Sequence, residues 1–163
     1  MGWFVKSEKV LTRLLEGFIV LCFSTILILV TTLVILRYAF NTTIIGGNEF
    51  IVILFIYTSA LGAAVIIGKK EHIAITWFID KLLGSARKVI DIINFLLIGF
   101  INGVMILYSI HWISKTGGYL TAVLGIPQIY AQIIVPIGCA VAILYCVYHI
   151  VLIVKPEKNI GLN

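Results

Sequence analysis

Residues 18–36 read FIVLCFSTILILVTTLVIL, an unbroken apolar run without Asp, Glu, Lys or Arg. At ~1.5 Å of rise per residue, a helix of this length crosses a hydrocarbon core of ~30 Å. Working outward, three further runs have the same character: Phe50–Gly68, Ile92–Ile113 and Ile129–Val154. In lipid, only helices and closed barrels satisfy their backbone polar groups internally, and continuous apolarity lacks the alternation of barrel strands. The expected fold is an all-α membrane protein, one domain over residues 1–163 with four transmembrane helices.

Composition agrees. The 163 residues are 61% hydrophobic and only 12% charged, with a mean hydropathy of +1.16, whereas soluble domains carry about 25% charged residues. The net charge of +5 does not point to nucleic acid, because its placement follows the spans. Lys6, Lys9 and Arg13 precede the first run; Lys69, Lys70, Lys81, Arg87 and Lys88 lie between the second and third; Lys155 and Lys158 follow the fourth. Only Arg37 and Lys115 fall on the other side. The positive-inside rule puts both termini and the central connection in the cytoplasm, and attraction to anionic lipid heads adds to it. The first run is too long for a signal peptide, and no small-x-small cleavage site follows it, so it is expected to be retained.

Two segments beside the runs are amphipathic. Val10, Leu11, Leu14 and Leu15 alternate with Lys6, Lys9, Arg13 and Glu16, predicting a lead-in helix. Ile75, Phe78, Ile79, Leu82 and Ala86 fall on one helical face, predicting an interfacial helix between spans two and three. The opposite connections, 41–48 and 114–128, are Gly-containing turns. Pro136 is placed to kink the fourth span near its outer third.

Chemistry-bearing residues are sparse. Glu49 and Asp91 open spans two and three, while His111 and His149 lie near opposite membrane faces, too far apart in depth to ligate one haem. No pair of ligands has a metal-binding spacing. Cys22, Cys139 and Cys146 form no C-x-x-C and read as packing residues. No catalytic residue, cofactor or metal is expected. Packing signals are stronger: Ala60, Ala64 and Gly68 recur every four residues on span two, as do Gly99 and Gly103 on span three, and small residues at that spacing let helices approach closely. Contact inside the chain and contact with another protein are both open at this point.

Several short motifs, in order, carry a family resemblance. Arg37-Tyr38-Ala39-Phe40-Asn41 resembles the R-Y-x-F-N of the small membrane (Q) subunit of tripartite ATP-independent periplasmic (TRAP) transporters. Glu49 stands in place of the end of its W-x-E-E, Leu61-Gly62-Ala63-Ala64 resembles its L-G-A-A, and Lys70-Glu71-His72-Ile73 its basic stretch ending in H-I. Leu124-Gly125-Ile126-Pro127 and Pro136-Ile137-Gly138 resemble its L-G-x-P and P-x-G. Gly46 and Asn48 depart from the family's Trp and first Glu, and Thr76 stands where an Asp often follows.

The resemblance implies a multi-pass protein of the bacterial inner membrane, without enzymatic activity. It implies a one-to-one complex with a large (M) subunit that carries the substrate and sodium sites, and a periplasmic substrate-binding (P) protein. The transported anion would be a carboxylate such as a sialic acid or a C4-dicarboxylate, and this chain would brace the scaffold of the M subunit. Arg37 and Glu49 are then expected to pair with each other or to contact a partner, and His72 to mark the end of span two. The competing readings are a four-helix redox subunit and a small dimeric multidrug exporter; the latter needs an acidic residue within span one, and 18–36 has none.

Overall fold

The computed structural model describes residues 2–69 and 85–154, with side chains described for 9–69 and 89–154. Among the described residues five helices follow in order: α1 Gly2–Ala39, α2 Gly47–Gly68, α3 Ser85–Thr116, the single turn α4 Ile129–Gln132, and α5 Ile134–Val154. Among the described residues, four stretches are long and apolar enough to cross a membrane: Lys9–Ala39, Gly47–Gly68, Val89–Thr116 and Ile129–Val154. The lead-in and span one are a single helix of 38 residues, about 57 Å long, so its first turns project beyond a ~30 Å core or the helix tilts. The predicted interfacial helix and His72 lie outside the described residues, apart from the segment from Ser85 on, which already belongs to α3.

The spans do not close into a square bundle. α2 packs against α1 on one side and α5 on the other, while α3 packs against α5. The order across the layer is therefore α1, α2, α5, α3, with α1 and α3 as the two flanks. The flanks expose large apolar side chains along their length, including Leu14, Val20, Leu27, Ile28 and Ile35 on α1 and Leu96, Phe100, Leu107 and Ile110 on α3. The core sits where α2, α3 and α5 meet, around Ala64, Ile67, Phe95, Ala142, Tyr145 and Cys146.

Small residues set the α2–α5 spacing. A Cβ on Gly138 would lie 2.8 Å from the Ala60 carbonyl oxygen, and one on Gly68 would lie 2.9 Å from the Tyr145 ring. Ala64, 1% exposed, is buried between them along the same face. The Ala60–Ala64–Gly68 repeat therefore serves contact within the chain. On α3, Gly99 faces Cys146 at 3.9 Å, whereas Gly103, like Gly62 on α2, faces open space.

Candidate functional site

Polar contacts between elements gather at the two ends of the layer, while the mid-span Thr25, Thr58 and Asn102 bond within their own helices. At the end nearer the termini, the Thr12 and Tyr145 hydroxyls lie 2.8 Å apart and join α1 to α5. His149, 4% exposed, places Nε2 2.8 Å from the Gly68 carbonyl oxygen. A carbonyl only accepts, so Nε2–H donates, and the bond satisfies one of the carbonyls that the end of α2 leaves without an intrahelical partner. Phe95 stacks on the imidazole with centroids 5.1 Å apart. Lys69 and Glu16 form an ion pair at 2.6 Å, half-exposed on both sides. His149 thus anchors helices to each other, whereas His111 is exposed near the other end of α3.

The opposite, distal end carries most of the motif residues. α1 stops at a left-handed residue, Asn41, with φ 47°; the amides of Phe40 and Thr42 both donate to the Leu36 carbonyl at 3.1 Å. The Thr42 bond reaches back six residues to a carbonyl of the last turn, a left-handed residue just past the end stops many helices, and Asn is the residue after Gly that best tolerates the conformation. α2 then begins after Gly46, at φ 81°, where a Cβ would run into the Leu124 side chain. Any larger residue at 46 would displace that leucine.

The 117–128 loop folds back on itself. Leu120 and Pro127 form an antiparallel bridge, Thr121 N–H donates to the Ile126 carbonyl at 2.9 Å, and Gln128 N–H donates to that of Tyr119 at 2.9 Å. Gly125, at φ 63°, turns the chain. The fold aims two successive amides, Val123 and Leu124, outward from the loop tip. Glu49, in the first turn of α2, accepts both: Val123 N–H to Oε1 and Leu124 N–H to Oε2, each 2.8 Å. Successive amides in a turn make a concavity suited to an anion, and here the chain supplies its own carboxylate. The bond between remote loops is therefore charge-assisted and two-pronged.

Arg37 does not pair with Glu49; among the described residues the ion pair is Lys69–Glu16. The reason is geometric: α1 extends past Arg37 to Ala39 and its terminal turn is solvent-facing, with Arg37 and Tyr38 both exposed, while α2 turns Glu49 toward the 121–126 loop.

The fourth span breaks at Ile133, between α4 and α5. Pro136 falls in the first turn of α5, where a missing N–H costs nothing. The break frees the Tyr130 carbonyl, which accepts the Tyr57 hydroxyl from α2 at 2.7 Å. Nearby, Gln132 Nε2 donates to Thr116 Oγ1 at 3.1 Å and to Gln128 Oε1 at 3.3 Å, tying α4 to the end of α3. Among the described residues no three His, Cys, Asp or Glu side chains come together.

The family model for tripartite ATP-independent periplasmic transporters, DctQ component, matches residues 26–155. The chain belongs to the DctQ family. No curated protein matches it. Membership makes it a small subunit of a TRAP transporter, a multi-pass protein of the inner membrane that works with M and P components. In this DctQ chain the motif residues fall into two groups. Glu49, Gly125 and Pro127 build the distal clasp, Asn41 ends α1, and Gly138 sets helix spacing. Arg37, Tyr38 and Gly62 point away from the rest of the chain. The Glu49 contact across 74 residues, the Thr12–Tyr145 bond and the His149 cap were not legible in sequence. For Tyr145 and His149 the signal was a polar group inside an apolar run, which marks a need for a partner without naming it.

Proposed function

We propose that this chain is the non-transporting brace of its TRAP transporter: it binds one copy of the M subunit and enlarges the fixed frame against which that subunit's transport domain moves. One observation carries this reading. Every span lacks a charged side chain at mid-depth, while both flanking helices present apolar faces along their length. Moving sodium and an organic anion through a membrane takes polar or charged groups converging on a path, whereas the mid-span polar side chains here, Thr25, Thr58 and Asn102, bond to carbonyls of their own helices. A large apolar face instead suits lipid or a partner helix.

The transport cycle it serves is sodium-driven uptake of a carboxylate, of the sialic acid or C4-dicarboxylate class. Both termini lie in the cytoplasm, by the distribution of Lys and Arg. The distal end then faces the periplasm, where the exposed rim residues Tyr38, Ile45, Leu120 and Val123 help to dock the P protein. The Glu49 clasp holds the two loops of that rim in register.

Reconstitution tests the reading. Liposomes carrying this chain alone should show no sodium-dependent uptake, those carrying both membrane subunits should show it when P protein and substrate are added, and omission of this chain should abolish it. Solute flux through the chain by itself would overturn the proposal.

A further inference from the structure

The distal half of the layer contains a wedge-shaped cleft that neither the clasp nor the helix packing uses. α2 and α3 stand on either side of α5. Toward the termini the space is closed, because Phe95, Ala64, Ile67, Tyr145 and Cys146 fill it. Toward the distal end the break at Ile133 leaves two adjoining cavities over α4 and the start of α5. One, of about 400 Å³, lies between α2 and α4 beside Val52 and Ile53. The other, of about 430 Å³, reaches α3 at Met105, Tyr108 and Trp112 and ends on Val135. They share Ile56, Ala131 and Gln132, so they adjoin and are treated as one cleft.

We propose that this cleft holds an acyl chain of a phospholipid from the leaflet opposite the termini. Depth is the first argument. From Trp112 to Met105 the cleft runs along seven residues of α3, about 10 Å, within the ~15 Å that half of a ~30 Å core allows. A partner's transmembrane helix needs a stripe through both leaflets, and the core around Phe95 blocks the second.

The second argument is the gradient of polarity. The deep walls are apolar, from Ile56, Met105 and Val135. The mouth carries the Gln132–Thr116–Gln128 hydrogen bonds and the exposed rings of Tyr108 and Trp112, residues that favour the headgroup level. Charge completes the match: Lys115, exposed one turn beyond Trp112 on α3, stands where a lipid phosphate would emerge. Of the residues lining the two cavities Glu49 alone is charged, and its carboxylate is already held by two amides.

Native mass spectrometry of the two-subunit membrane complex, taken through stepwise detergent washing, tests the proposal. The wild-type complex should retain a tightly held phospholipid that survives washing. Ala131→Phe, which fills the floor, and Met105→Trp, which closes the open side of a half-exposed residue, should each lower its retention at least tenfold. Leu27→Phe, on the exposed flank of α1, should leave it unchanged. Should Ala131→Phe fail to fold, Met105→Trp decides alone. Equal lipid retention in a folded filling variant would overturn the proposal, as would efficient cross-linking of a Met105→Cys variant to the M subunit, which would put protein in the cleft.

Discussion

Replacing Gly138 by alanine would put a methyl carbon 2.8 Å from the Ala60 carbonyl oxygen and 3.1 Å from its carbon. Both are backbone atoms in the middle of α2, so no side chain can swing away. α5 and α2 must separate by several tenths of an ångström to restore ordinary contact. Overpacking of this kind costs about 1–3 kcal/mol, and alanine's helix propensity returns at most ~1 kcal/mol. The net is a loss of ~0–2 kcal/mol, up to about thirtyfold in the folding equilibrium.

Gly62→Ala provides the contrast, because no atom lies within 4 Å of a Cβ there; it should be neutral or slightly stabilising. The assay is thermal unfolding in mild detergent, paired with maleimide labelling of Cys146, which is 2% exposed in the core where α2, α3 and α5 meet. Gly138→Ala should melt lower and label faster than Gly62→Ala. Equal behaviour of the two variants would refute the close-approach argument, since they differ only in what the new methyl meets.

Three further outcomes are expected. Glu49→Gln keeps one carbonyl oxygen but turns an NH2 toward the second amide, so hydrogen exchange at Val123 and Leu124 should quicken while exchange in α5 is unchanged; uniform exchange would show that the clasp is not local. Tyr145→Phe removes the hydroxyl at 2.8 Å from Thr12, which should cost about 0.5–1.5 kcal/mol; in a cycle with Thr12→Val the two losses should not add, and strict additivity would mean no direct coupling. Single cysteines at Thr43 and Thr121 should label from the periplasmic side of intact cells, whereas one at Glu8 should not, and the reverse pattern would invert the topology drawn from the basic residues.

Much of the motif pattern turns out to have a local structural cause. Asn41 ends a helix, Gly125 adopts left-handed backbone, and Gly138 admits a neighbouring helix. Arg37, Tyr38 and Gly62 do none of these things for the chain itself. They remain the residues to examine at the contact with the M or P component.

Membrane residence, the number of crossings and the approximate ends of each span followed from the sequence alone, because burial in lipid depends on the apolarity of each segment taken singly. The end-stop at Asn41 and the small-residue face of α2 were also within reach, since both are local patterns. The order of helices across the layer was not: between four uniformly apolar helices, lipid and protein neighbours look alike to hydropathy. Nor could the sequence pair Glu49 with Val123 and Leu124. Those partners are backbone amides, which every residue but proline carries, and only the tertiary fold of the 117–128 loop turns two of them toward one carboxylate.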